Sequence, residues 1–254
     1  MVRDVLRPAG VALALLLSLA SWPSWAQPVR VGSKIDTEGA LLGQLMLQTL
    51  KAGGVPTESR LQLGTTKVAR TALLAGEIDL YPEYTGNGAF FHSDEKNPAW
   101  KSASAGYQRV KVLDEQQHKL VWLAPAPANN TWAIAVRKDP AATHKLASLQ
   151  DLSRWLAGGG KFKLAASAEF VERPDALPAF QAAYGFKLGP DQILTLAGGD
   201  TAVTIKAAAQ QTSGVNAAMA YGTDGPLAAL GLVLLDDPLS VQPVYAPAAV
   251  VRAE

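Results

Sequence analysis

The sequence predicts an α/β protein of two lobes joined by two crossing segments, with a ligand cleft between the lobes. Three observations predict it. Strand and helix signals alternate as β-α-β-α-β from residue 29, and a second alternating series begins near residue 132. Two proline-framed extended stretches, at 124–130 and 243–247, stand where a chain would cross between such units. Alternation of this kind builds parallel sheets covered by helices, and open α/β sheets bind ligands beyond their strand ends.

Residues 29–32 read as a short buried strand followed by the polar turn Ser33-Lys34-Ile35-Asp36-Thr37. Asp36 or Thr37 can cap a helix whose apolar residues Leu41, Leu42, Leu45, Met46 and Leu50 recur at helical spacing. Gly53, Gly54 and Pro56 stop it. Residues 61–63 (Leu-Gln-Leu) read as a second strand, Thr65 or Thr66 opens a helix through Val68, Ala69, Ala72 and Leu73, and 78–81 reads as a third strand. From Gly88 to Leu120 the chain is more polar and reads as helical, with Tyr107, Val110 and Leu113 facing inward, and 120–123 as a strand.

In the second series, 132–136 reads as a strand, and Ser148-Leu149-Gln150-Asp151 as a capping box that opens a helix to Ala157. Strands follow at 163–166, 193–196, 217–220 and 233–235, with helices at 175–184 and, capped by Asp200 and Thr201, through Gln211. The expected organisation is a leader at 1–26, a first lobe from 27–129 plus 246–254, and a second lobe from 130–245.

The leader is read from Arg3 and Arg7, the apolar run 11–20 and the small-x-small pattern Ser24-Trp25-Ala26, with cleavage expected before Gln27. The run is too short for a permanent span of about 20 residues, so the mature chain is expected to be soluble and periplasmic. There is no cysteine, hence no disulfide, no thiol nucleophile and no lipid-modified cysteine. Loss of Arg3, Arg7 and Asp4 with the leader leaves a formally neutral chain, which argues against nucleic acid or an anionic membrane as partner.

Catalytic motifs are wanting. His92, His118 and His144 stand far apart in sequence with no ligand-spaced partner and read as surface or loop residues. Gly158-Gly159-Gly160-Lys161 lacks the spacing of a phosphate loop and follows a helix, so it reads as a turn. Asp236 and Asp237 precede Pro238 in another turn. No catalytic residue, metal ligand or cofactor is expected.

The informative residues are aromatics at strand ends and crossings. Tyr84 lies in the turn-rich run Tyr81-Pro82-Glu83-Tyr84-Thr85-Gly86-Asn87-Gly88, which reads as ending the third strand. Trp132 follows Asn130 beside the first crossing, Tyr221 follows another strand, and Tyr245 lies on the second crossing. Singly, each is more often packing; together they can form one cage. A quaternary ammonium has no N–H to donate, and its methyl-spread charge is held by π faces at about 0.5–2 kcal/mol per contact. A carboxylate on such a ligand needs a donor, for which Lys34 and Arg173 are candidates, or else both simply sit in water.

On these residues the chain resembles a known family. Val31-Gly32-Ser33-Lys34, the Tyr-Pro-Glu-Tyr-Thr-Gly run at 81–86, Asn129-Asn130-Thr131-Trp132 and Ala220-Tyr221-Gly222-Thr223-Asp224-Gly225 are similar to the glycine betaine/carnitine/choline-binding, osmoprotectant-binding proteins of ABC transporters. The resemblance covers essentially the whole mature chain. It implies a type 2 periplasmic-binding-protein fold and a monomer that closes over its ligand and docks on an inner-membrane ABC permease. It implies an aromatic box of Tyr84, Trp132, Tyr221 and Tyr245, with Lys34 and Arg173 facing the carboxylate and Asn130 lining the pocket. Many betaine binders have threonine where this chain has Asn87 and tyrosine where it has Trp132, which changes pocket size and polarity. Family members also continue past the second crossing with largely helical segments that pack on the first lobe. Residues 251–254 stand just beyond that crossing, and an unstable first lobe is expected for the chain as written.

Two other readings stay open. A binder of another small zwitterion, such as an amino acid, needs an acceptor for its ammonium N–H groups, for which Glu83 or Asp224 would serve. A periplasmic α/β enzyme is the third reading, without a motif to support it.

Overall fold

A computed structural model describes residues 27–253; the leader expected at 1–26 lies outside the described residues. The first half of the chain runs β1 (Val29–Gly32), α1 (Thr37–Ala52), β2 (Thr57–Arg60), α2 (Thr66–Leu74), β3 (Leu80–Tyr84), α3 (Asn87–Phe91), α4 (Ala103–His118) and β4 (Leu120–Trp122). The second runs β5 (Trp132–Arg137), α5 (Lys138–His144), α6 (Leu149–Ala157), β6 (Leu164–Ser167), α7 (Ala168–Glu172), α8 (Leu177–Tyr184), β7 (Ile193–Leu196), α9 (Thr201–Ala209), β8 (Ala217–Tyr221) and β9 (Leu232–Leu234). The chain then returns as β10 (Pro247–Arg252).

These strands form two five-stranded sheets, ordered β2-β1-β3-β10-β4 and β7-β6-β8-β5-β9. Each keeps a parallel core, β2-β1-β3 in one and β7-β6-β8 in the other. Each also accepts one antiparallel strand that arrives from a crossing segment. β5 enters the second sheet with Trp132 opposite Tyr221, and β10 enters the first with Pro247 opposite Tyr84. The two crossings lie side by side and are joined by Ala126 N–H to Pro247 O at 2.9 Å and Asn130 N–H to Tyr245 O at 2.9 Å. The fold is the type 2 periplasmic-binding-protein fold, with two α/β lobes.

The helix starts follow local chemistry. Asp36 caps α1 by accepting from Gly39 N–H at 2.6 Å, Ser148 and Asp151 form the capping box of α6, and Asp200 caps α9. Thr65 precedes α2 without a side-chain cap. Four sequence expectations are corrected. The second strand is 57–60, not 61–63: it is an edge strand paired only to β1, and its half-exposed polar sequence Thr-Glu-Ser-Arg carries no hydrophobic signal. The third strand does not end before Pro82 but runs on to Tyr84. Ala249, opposite Pro82, gives its carbonyl to Leu123 on the other side, so the missing proline N–H breaks no rung with β10. Leu41 and Leu45 face outward on α1, whose buried residues are Gly39, Gly43 and Leu47. The short helices α5 and α7 carry too few residues for a periodic signal.

Candidate functional site

Beyond the strand ends, between the lobes, lies a small cavity lined by Lys34, Asp36, Thr66, Tyr84, Asn87, Asn130, Trp132, Tyr221 and Tyr245. The four aromatics arrive by the symmetry of the two sheets. Tyr84 and Tyr221 end the parallel strands β3 and β8, and Trp132 and Tyr245 stand where the crossings meet those same ends. Trp132 stacks on Tyr221 with ring centroids 6.5 Å apart at 13°, is tilted to Tyr245 at 6.0 Å, and meets Phe170 edge-on at 5.7 Å. Tyr245 is seated by a glycine: a Cβ at Gly86 would lie 2.9 Å from two carbons of its ring.

Burial pushes the hydroxyl pKa values of Tyr84, Tyr221 and Tyr245 up, and Asp36 is the leading charged contributor at Tyr84 and Tyr221. These rings therefore stay neutral at physiological pH. Tyr84 donates its hydroxyl to Glu38 Oε1 at 2.8 Å, which aims the ring across the cavity.

The cations are committed. Lys34 Nζ lies 2.6 Å from Glu83 Oε1 and 4.5 Å from the Tyr84 ring centroid. Arg173 follows α7 and chelates Asp175 at 2.8 and 2.6 Å, while its third nitrogen donates to Asn87 Oδ1 at 2.9 Å and Glu169 at 3.1 Å. Its guanidinium is held between the Phe90 and Trp132 rings, at 4.2 and 4.5 Å. Neither cation sits in water, which settles that alternative against solvent. Of the eight residues named from the sequence for the quaternary-ammonium site, Arg173 alone stands behind the cavity wall rather than on it.

Asn87 and Asn130 are bridging residues. Asn87 donates to Glu83 at 2.7 Å and accepts from Arg173, so it joins α3 of the first lobe to the second. Asn130 accepts from Thr223 Oγ1 at 2.7 Å, and Thr223 also lies 3.0 Å from Glu38. Glu169 accepts from Thr66 N–H at 3.4 Å, and Thr37 Oγ1 is 3.3 Å from both oxygens of Asp200. The lobes are thus closed on one another by direct hydrogen bonds. Asp36, Glu38, Thr66 and Thr223 were not named as site residues from the sequence, though Thr66 was read as opening a helix and Thr223 lies in a quoted motif. Asp36 was visible there only as a cap.

Glu83 and Asp224, the acceptors expected for an amino-acid ammonium, are both spent. Glu83 is fully buried and takes Tyr81 O–H, Tyr84 N–H, Asn87 and Lys34. Asp224 closes its own turn through Tyr221 N–H at 2.7 Å and Thr201 O–H at 2.9 Å.

The histidines need a correction too. His92, Asp114 and His118 bring their ligand atoms within 4.8 Å of one another; Asp114 and His118 stand four residues apart on α4, a spacing the sequence reading passed over. Folding α3 against α4 brings His92 to that pair, which sequence spacing cannot show. Both Asp114 oxygens are already shared, by Arg70 with His92 at 3.0 Å and by Arg70 with Trp122 Nε1–H at 2.6 Å. The group reads as a structural knot of the first lobe. His144 stacks on Trp155 at 4.8 Å.

Comparison with known proteins places this geometry. Residues 27–254 match the family described as the substrate binding domain of ABC-type glycine betaine transport systems. The glycine betaine-binding protein YehZ of Escherichia coli K12 is 69% identical over 239 residues, covering 94% of this chain and 78% of that one. A glycine-betaine-binding protein of Pseudomonas aeruginosa is 35% identical over 237 residues, covering 90% and 73%. Among solved structures, apo YehZ aligns at 71% identity with a TM-score of 0.62, over 90% of this chain and 81% of that one. A glycine betaine/carnitine/choline ABC transporter protein shares the fold at 20% identity and a TM-score of 0.63, over 88% and 79%. These relatives are binding components and not enzymes. The chain belongs to the family of substrate-binding domains of ABC-type glycine betaine transport systems.

Proposed function

We propose that this protein binds a quaternary-ammonium osmoprotectant of the glycine betaine or choline type in the periplasm and delivers it, as a monomer, to an inner-membrane ABC permease. The leader at 1–26 would direct it there and be cleaved before Gln27. One observation carries the ligand class: four aromatic rings from four separate chain segments meet on a single interlobe cavity. A cation without N–H groups gains from such faces what it cannot gain from hydrogen bonds. The ammonium would be held by Tyr84, Trp132, Tyr221 and Tyr245. A ligand carboxylate would take the remaining donors of Lys34 and face the charge of Arg173 behind the wall, with Asn87 and Asn130 completing the wall and closing the lobes.

Titration calorimetry of the mature protein with glycine betaine, choline and a panel of amino acids tests this reading. Saturable binding of a quaternary ammonium, weakened at least about tenfold by Tyr84→Ala and by Tyr221→Ala, is expected for the loss of one or two cation–π contacts. Unchanged affinity in both variants would sink the cage assignment. Exclusive binding of amino acids would overturn the ligand class.

A further inference from the structure

The cavity wall carries one carboxylate that makes no ion pair among the described residues. Asp36 is 8% exposed, and its only side-chain hydrogen bond among the described residues is the cap to Gly39 N–H at 2.6 Å. That bond occupies one oxygen; the carboxylate otherwise faces the cavity shared with the four rings. The nearby cations do not neutralise it. Lys34 is held by Glu83, and Arg173 by Asp175 and Glu169.

A helix cap does not require this. Asparagine or serine caps a helix as well as aspartate does, without placing an ionised group out of water. Desolvation accordingly raises the Asp36 pKa, against the opposing pull of Lys34 and the Gly39 N–H. Asp36 in turn is the leading charge acting on the Tyr84 and Tyr221 hydroxyls, so its field falls on the rings. A buried, half-satisfied carboxylate beside aromatic faces is matched when a cation enters between them.

We infer that Asp36 is the counter-charge of the ligand's ammonium, and that it makes affinity depend on ligand net charge. This deepens the quaternary-ammonium reading and rests on it. A ligand that is a simple cation gains the full attraction to Asp36. A zwitterion gains less, because its own carboxylate is repelled by the same group. The aromatic faces alone do not distinguish the two heads, which carry the same trimethylammonium.

The test is calorimetry of the mature protein and its Asp36→Asn variant, with glycine betaine and with choline as probes. Asparagine keeps the cap and the volume and removes only the charge. The expected result is weaker binding of both probes, with choline losing about tenfold and betaine a smaller factor, at a melting temperature no lower than that of the wild type, since the ionised carboxylate costs stability at neutral pH. Asp36→Ser, which also caps, should show the same losses and guards against an effect peculiar to asparagine. Equal affinities in wild type and both variants would overturn the inference and leave Asp36 a cap. Tighter betaine binding in Asp36→Asn would also overturn it, by placing the charge against the ligand's carboxylate. A wild-type protein that binds neither probe would instead refute the quaternary-ammonium reading itself.

Discussion

The two lobes share one topology but are held together by different chemistry. In the second lobe the buried aromatics are mostly phenylalanines: Phe162, Phe170 and Phe180 pack with Ile134, Leu149, Leu152, Leu164 and Leu177 in one continuous apolar core. The first lobe buries Trp100, Trp122 and Tyr81 instead. Each of these has a polar tip that must find a partner. Trp122 donates to Asp114, Tyr81 to Glu83 and Trp100 to the Asp94 carbonyl at 2.8 Å. The acids so recruited are buried in turn and draw in Arg70 and Lys34. The core of the second lobe is therefore closed by shape and area, its buried charges Arg173 and Asp175 lying behind the cavity wall, whereas the first lobe threads a web of satisfied charges through its core. The web is less forgiving, because removing one member strands its partner out of water.

Three measurements would break or sharpen that contrast. The largest effect is expected from Asp114→Asn, which leaves the buried Arg70 guanidinium without its carboxylate. A loss of about 3–5 kcal/mol by denaturant titration is expected, confined to the first lobe. A loss below about 1 kcal/mol would show the knot to be incidental. Leu152→Ala in the second lobe removes a fully buried side chain and should cost about 3 kcal/mol through its cavity, with no dependence on pH. If that cost varied with pH, the purely apolar account of the second core would fail.

The smallest effect in ordinary buffers is the acid limb. Hydrogen bonds from His92, Arg70 and Trp122 hold the Asp114 carboxyl below its usual value despite burial. Its contribution is complete above the unfolded carboxylate pKa of about 3.9 and is lost as pH falls below that. Asp36 acts in the opposite sense. Its raised pKa means that the ionised form costs stability at neutral pH, a cost relieved as pH falls through the folded value. Hydrogen exchange at decreasing pH should therefore show the first lobe opening before the second. Simultaneous opening would count against the contrast.

Much of this was legible from residue order. Caps at Asp36, Ser148 and Asp200 rest on local hydrogen bonds between neighbours, so they could be read directly. The aromatics were legible as strand-end residues, because parallel α/β sheets put their strand ends on one side. The edge strand 57–60 was not, since an edge needs no apolar signature. Nor was Pro82 within β3, because which side of the strand needs an N–H depends on the neighbour.

Order along the chain is enough for a property that arises between near neighbours or from alternation: the α/β class, the caps, the two crossings and the aromatics at their ends. Charge pairing is different. Lys34 meets Glu83, and Asp114 meets Arg70 and His92, across 22 to 49 positions. Coulomb attraction depends on distance and burial, and neither exists until the chain has folded. That is why Lys34 looked like a free donor in the sequence, and why Asp36 looked like no more than a helix cap; Arg173, whose ion pairs with Glu169 and Asp175 lie within four positions, is the exception whose pairing residue order already held.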